Sequence, residues 1–416
     1  MVLDRSRRTT ILAGMVTKIS DRPVVRLKPK AQKRLKLGHP WAFSNEIEMT
    51  AEAKALAPGS LVRLDTSDGE PLGTFLFNRH PLIAARLLSR DHQAQIDAGF
   101  FRQRLERALQ IRERLIGVPF YRLAHAESDG LPGTIIDRFG DALVLQVNSA
   151  GMEALTPLLL DAVDDLIAPT TLMLRNDSPV RSLERLEPYV SLVRGTVDKP
   201  FEIVEHRARF LADLGEGQKT GWFYDQRDNR RWAAELVQGL GNARVLDAYC
   251  FAGGFSIQAA LAGAAEVTGL DRSARALELA KEAAALNDVE DRCSFRRTDV
   301  FAALEHLAKK QEAYQLVIAD PPAFVKNRKD LPQGLRAYRK LARLAAGVTE
   351  QGGYLVLCSC SHHVDPASFL DQIGRGVAEA GRSASVLRQA GAALDHPVHP
   401  RLPETQYLKA VFLALD

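Results

Sequence analysis

Val245-Leu-Asp-Ala-Tyr-Cys-Phe-Ala-Gly-Gly-Phe-Ser256, a helical run, and then Glu266-Val-Thr-Gly-Leu-Asp271 read as strand, tight glycine turn, helix and second strand. The second strand ends on an acid, Asp271, 24 positions after Asp247. This is the spacing of a βαβ nucleotide site, whose second-strand carboxylate takes the ribose hydroxyls. Gly253 and Gly254 let the backbone come close to a ligand at the helix start. The loop has no G-x-G-x-x-G pattern, so the dinucleotide fingerprint is missing. Asp247 sits where the first strand opens onto the ligand, and a carboxylate there repels a pyrophosphate and attracts a cation. S-adenosylmethionine (SAM) carries ribose hydroxyls, an amino group and a sulfonium but no phosphate, so this charge pattern favours SAM over NAD. A βαβ unit with an acidic turn and no cofactor is the other reading of these residues alone.

The 416 residues are enough for two or three domains. A hydrophobic share of 46% and a charged share of 25% belong to a globular chain. No apolar run approaches the roughly 18 residues of a membrane span, and neither a membrane partner nor a signal peptide is expected. Cys250, Cys293, Cys358 and Cys360 fit neither a paired zinc motif nor a disulfide framework, so no metal site is expected and a reducing cytoplasm is the inference. A net charge of +4 is too modest to signal nucleic acid, so such a signal must come from local clustering.

One cluster qualifies. Residues 22–36 hold seven Lys or Arg, and no acid occurs from Arg22 to Asn45. Strand-like runs follow at 61–64, 73–78 and 83–88, making a β-rich domain of about 70 residues. Lys28, Lys30, Lys33 and Arg34, with His39, Trp41 and Phe43 interleaved, suit RNA backbone contact with stacking. A solvated charge run beside a β core fits the same residues. Phe101, Leu105, Ala108, Ile111 and Leu115 then recur at helical spacing and predict an amphipathic helix over 96–116. Glycine turns, strands at 142–147 and 171–175 and a helix over 153–166 predict a small α+β middle domain.

Beyond Asp271 the alternation of helix and strand continues, which predicts a doubly wound sheet. Ligand and chemistry belong at the carboxyl ends of its strands. Asp247, Asp271, Asp299, Asp320 and Cys360 all fall at such ends. Asp320-Pro-Pro-Ala-Phe324 forms a stiff turn able to hold a base near the methyl donor. Enzymes that methylate exocyclic amines place an aromatic residue directly after the second proline, where this chain has Ala323. Cys360 lies in Leu357-Cys-Ser-Cys-Ser-His-His363. A thiolate adding at C6 of a pyrimidine makes C5 nucleophilic enough to take a methyl group. A pair of buried, inert thiols is the other reading. Cys358 and Cys360 are expected to face opposite sides of the sheet, Cys360 toward the pocket and Cys358 against a helix. Lys326, His362 and His363 are the candidate cations to activate Cys360.

The order of motifs resembles the RlmI family of bacterial 23S rRNA 5-methylcytosine methyltransferases. The resemblance spans residues 23–416. It rests on Gly38-His-Pro-Trp41, Glu127-Ser-Asp-Gly-Leu-Pro-Gly133, Gly217-Gln-Lys-Thr-Gly-Trp-Phe-Tyr-Asp-Gln-Arg227, the Gly-Gly-Phe-Ser loop, Asp320-Pro-Pro-Ala-Phe324, Cys358-Ser-Cys-Ser361 and Asp395-His-Pro-Val398. It implies an RNA-binding PUA domain over 23–91, an α+β domain over 92–198 and a SAM-dependent methyltransferase domain over 199–416, built on a seven-stranded Rossmann-like sheet, and it leaves residues 1–22 outside it as an extension. It further implies 23S rRNA as partner; a homodimer is expected as one assembly. Cys360 matches the nucleophile position of the Thr-Cys-Ser motif in related RNA cytosine methyltransferases, and Asp320, the second residue expected to be catalytic, is expected to hydrogen-bond the cytosine edge. Asp271 is expected to hold the ribose hydroxyls, Asp299 the adenine amino group, and Asp247 with Gly253 the methionine end, closed by Lys219 and Thr220, with Phe251, Gly254 and Val300 also in the cofactor site. Two alternatives stay open: methylation of another RNA base, and an RNA-binding scaffold with an inactive methyltransferase domain. Where relatives often carry a second cysteine after the prolines, this chain has Ala323.

Overall fold

The computed structural model describes residues 22–215 and 221–416. Lys219 and Thr220, and the extension before Arg22, lie outside the described residues. The rest divides into two units.

The first unit contains the described residues through Asp198, with Leu214, Gly215, Gly221, Trp222 and Leu394–Thr405. Its first sheet is built from β1 (Val24–Arg26), β2 (Trp41–Phe43), β3 (Ser60–Asp65), β4 (Pro71–Phe77) and β5 (Ile83–Ser89), in the order β1-β3-β4-β5-β2. Two short helices, α1 (Gln32–Lys36) and α2 (Ala51–Ala55), connect these strands. Inward residues such as Val25, Leu27, Val62, Leu64, Phe75 and Phe77 form its core. Each such side chain contributes roughly 1.5–3 kcal/mol by leaving water.

Helix α3 (Ala98–Ile116) leads to the second sheet. Its first turn is capped by Asp97, which accepts from the Phe100 N–H at 2.9 Å, and it ends on Gly117 at φ 76°. The predicted apolar stripe is only half right. Phe101, Leu105 and Ala108 are buried, but Ile111 and Leu115 are exposed at 40% and 52%. Arg112 takes the inward place, 1% exposed, and forks onto Asp129 at 2.6 and 2.7 Å. A bidentate ion pair offsets the cost of burying that charge.

Strands β6 (Phe120–His125), β7 (Thr134–Phe139), β8 (Ala142–Val147), β9 (Thr171–Asn176) and β10 (Tyr189–Arg194) lie in the order β10-β9-β8-β7-β6, backed by α4 (Ala150–Leu166). The two sheets of this unit share a core. Leu76 and Leu88 of the first pack into the cluster of the second. Arg86 bridges to Glu127 at 2.8 Å and Glu184 at 3.2 Å. The late segment Leu394–Thr405 also packs here. Asp395 accepts from the Arg122 N–H at 3.0 Å, and Arg112 donates to its carbonyl at 3.1 Å.

The second unit contains Lys199–Asp213, Phe223–Ala393 and Gln406–Asp416. A hairpin of β11 (Phe201–Glu205) and β12 (Ala208–Ala212) precedes helix α5 (Arg227–Leu240). The main sheet follows: β13 (Arg244–Ala248), α6 (Gly254–Leu261), β14 (Glu266–Asp271), α7 (Ala274–Leu286), β15 (Cys293–Arg297), α8 (Val300–Lys309), β16 (Tyr314–Ala319), α9 (Leu331–Gly347), β17 (Thr349–Ser359), α10 (Pro366–Glu379), β18 (Ala384–Ala390) and β19 (Lys409–Leu415). The strand order is β15-β14-β13-β16-β17-β19-β18. The first five strands pair in parallel, and β19 runs antiparallel to both its neighbours. This is the seven-stranded α/β sheet expected from the sequence. Strand order reverses at β13, so the ends of β13, β14 and β16 open onto one crevice. No described helix is long and apolar enough to cross a membrane.

Candidate active site

Asp247 is fully buried in β13. One of its oxygens accepts from both the backbone N–H and the hydroxyl of Ser256, at 2.9 and 2.6 Å. The other oxygen, Oδ1, has no hydrogen-bond partner among the described residues. Burial pushes the carboxyl up to about 7, partly opposed by the two Ser256 bonds. The turn that follows is wound tightly. Tyr249, Phe251 and Gly253 all have left-handed backbone, at φ 65°, 49° and 80°. A side chain at Gly253 would be strained by that φ and would also stand 3.2 Å from the Ala280 methyl. Strain of this kind in non-glycine residues gathers at ligand sites.

Asp271 braces the turn from the end of β14. Its carboxylate accepts from the Phe251 N–H at 3.0 Å and the Ser273 N–H at 2.8 Å. It therefore has a structural task as well as the open lone pairs that a ribose could use. Asp299 caps α8 through the Ala302 N–H and pairs with Arg272. These bonds hold its carboxyl below the usual range. The helix it caps begins at Val300, directly after the expected strand end.

Asp320 follows β16 and keeps part of its surface accessible, yet the groups packed around its carboxyl push it up to about 7. Burial is the main cause, and the Asp225 charge adds to it. Gln226 is the residue that sequence reasoning missed. It is 2% exposed, faces Asp320 and the Cys358 thiol, and its Nε2 has no hydrogen-bond partner among the described residues. Asp225 beside it holds the Tyr407 hydroxyl at 2.5 Å. The available signal was the Tyr224-Asp-Gln-Arg227 stretch itself. Behind them Arg230 forks onto the fully buried Glu205 at 2.6 and 2.7 Å.

The two cysteines do not separate as expected. Strand positions two apart share a face, so alternation cannot send them to opposite sides. They separate because β17 stops at Ser359 and Cys360 lies in the turn beyond it. Cys358 is fully buried against Gln226 and Asp320, not simply against a helix, and burial drives its thiol well above the ordinary value. Cys360 is only half-buried. Its turn is held from both sides. The Tyr338 hydroxyl lies 2.8 Å from Ser359 Oγ and 2.8 Å from Ser361 Oγ, and the Val325 N–H reaches Ser361 Oγ at 3.1 Å. The Asp320-Pro-Pro loop and the cysteine turn are thereby fixed to each other. Phe324 packs on Tyr338 and Phe301, with ring centroids 4.8 and 6.0 Å away, so its ring has a core role. Lys326 and His363 are exposed, and His362 stacks on Tyr407 at 5.2 Å.

In the first unit, Lys28, Lys30 and Lys33 are exposed. Arg34 and Trp41 already have partners. Arg34 reaches Glu46 at 2.7 Å and lies over the Phe43 ring, and the Trp41 indole N–H donates to Glu127 at 2.7 Å.

A crevice at the carboxyl ends of parallel strands, with acids at the ends of three of them and an open buried carboxylate oxygen, fits SAM and defines a SAM-dependent methyltransferase. Residues 184–412 match the S-adenosylmethionine-dependent methyltransferase family, and residues 25–90 match a PUA-like domain. Ribosomal RNA large subunit methyltransferase I of Aeromonas hydrophila is 36% identical over 91% of this chain and 96% of its own length. The protein of that name from Shewanella denitrificans is 34% identical over 93% and 98%. The chain belongs to the family of ribosomal RNA large subunit methyltransferase I. Two solved structures share its fold at 19% identity. A Streptococcus mutans protein described as a SAM-dependent methyltransferase superposes with a TM-score of 0.79, over 94% of this chain and 100% of its own. The methyltransferase SMU.776, solved with SAH, does so at 0.80, over 94% and 99%.

Proposed function

We propose that the chain methylates C5 of a cytosine in 23S rRNA, with Cys360 as the nucleophile. The observation that carries this reading is the half-buried Cys360 in a turn locked to the Asp320 loop, at the ends of adjacent parallel strands. SAM, when bound, supplies a methyl group made electrophilic by its sulfonium. Addition of the Cys360 sulfur at C6 forms an S–C6 bond and turns C5 into an enamine-like carbon. Asp320 at about 7 holds a proton part of the time near neutrality, so it can donate a hydrogen bond to the ring edge that gains electrons. C5 would take the methyl group as its bond to the sulfonium breaks, the C5 proton would then pass to water, and departure of the thiolate from C6 would restore the ring. The exposed Lys28, Lys30 and Lys33 offer the RNA backbone a cationic face. The test is bisulfite mapping of large-subunit rRNA from a strain lacking the chain, with and without the gene restored. One cytosine is expected to lose its mark and regain it, and an unchanged map overturns the proposal.

Asp247 adds a pH signature. A cationic amino group placed at its open Oδ1 favours the carboxylate and draws its pKa down from about 7. Below that value the free protein holds a proton that binding must expel. SAM affinity should therefore fall as pH drops below about 7, by at most about tenfold per unit, and level off above it. Calorimetry near pH 6.5 in buffers of different ionisation enthalpy should register the released proton. An affinity flat between about pH 6 and 8 excludes Asp247 from the cation site.

A further inference from the structure

Lys409 opens β19, 7% exposed, opposite Ser359 in the β17 register. Every other position of β19 is apolar. Its ammonium donates to the carbonyls of Ser361 at 2.7 Å and Val364 at 2.8 Å. No carboxylate stands within ion-pair distance of it among the described residues. A buried charge paired only with carbonyls is costly, and an apolar residue would fill this strand without that cost. The two bonds bracket the turn just after Cys360. Burial pushes Lys409 down to about 8, against the opposing pull of the Cys360 sulfur and of Asp365. Two other groups interact with Cys360 at this corner, the Tyr338 hydroxyl from α9 and the Cys358 thiol from β17, while His362 is exposed and stacks on Tyr407.

We propose that Lys409 is a positioning residue for Cys360, tying down the 361–364 turn and setting a positive charge beside the sulfur that favours its thiolate. This rests on the reading of Cys360 as nucleophile and names the cation that reading requires. Lys409 joins the three candidate cations read from the sequence, Lys326, His362 and His363, from a strand about fifty residues away.

The test is the rate of iodoacetamide alkylation at Cys360 against pH, read at that peptide by mass spectrometry on the full-length protein without RNA. At about pH 7, K409M should slow alkylation about tenfold, equivalent to a one-unit rise of the thiol. K409R should stay within about twofold of wild type, since it keeps the charge, and both variants should still bind SAM. An unchanged rate in SAM-binding K409M overturns the proposal. So does an equal slowing in K409R, which would make the effect one of turn geometry. If K409M does not fold, the wild-type profile decides, and a Cys360 midpoint at or above the ordinary thiol value of about 8.5 also overturns it. Trapping of wild-type protein on 5-fluorocytosine RNA tests the nucleophile separately. Its failure would remove that reading and leave the alkylation result standing.

Discussion

Cys360→Ala should lower methyl transfer by at least about 10⁴-fold, the scale on which nucleophile removal acts in covalent catalysis, while SAM still binds. The expectation follows from the different surroundings of two thiols two residues apart. Cys358 has no exposed surface, and both burial and the Asp320 charge oppose its ionisation. Cys360 keeps part of its surface accessible, and its ionised sulfur interacts favourably with the Lys409 ammonium. Cys358→Ala should cost stability through lost packing and leave activity within about tenfold. A 5-fluorocytosine RNA cannot lose a proton from C5, so it should remain bonded to the wild type and to Cys358→Ala, but not to Cys360→Ala. Trapping that disappears with Cys358→Ala instead would assign the chemistry to the other sulfur. Methylation without trapping in any variant would remove the C5 mechanism.

Asp271→Ala should weaken SAM binding by about 1.5–3 kcal/mol for each charge-assisted hydrogen bond lost to the ribose, which is roughly tenfold or more in Kd. The structure adds a second cost. The same carboxylate holds the Phe251 and Ser273 N–H groups, and the first of these lies in the strained turn after β13. Its removal therefore frees the turn as well. Asp271→Asn retains an acceptor for part of this network and should fall between alanine and wild type. Calorimetry on the three proteins gives the ranking, and unchanged affinity in Asp271→Ala would take Asp271 out of the cofactor site.

The local and periodic features of this protein were legible in its sequence. The glycine turn after Val245, the acids Asp247, Asp271, Asp299 and Asp320 recurring 24, 28 and 21 residues apart, and the regular alternation of helix with strand suffice for the sheet and the cofactor class. Even Cys360 could be singled out as a strand-end thiol. The sequence did not show which charges are buried. Arg112 looked like the solvent face of a helix and is inside, and Ile111 beside it looked like core and is outside. Leu394–Thr405, read with the third domain, packs in the first unit through Asp395. Gln226 reaches Asp320 from nearly a hundred positions away in the chain. Lysine and arginine letters carry a charge but no depth, and depth is set by contacts between residues far apart in sequence. The sequence by itself therefore determined the fold class, the SAM crevice and the list of candidate acids and thiols. Only the tertiary structure decided which thiol keeps access to solvent and which lysine stands beside it, because the environment that tunes a side chain is assembled from distant strands only when the sheet closes.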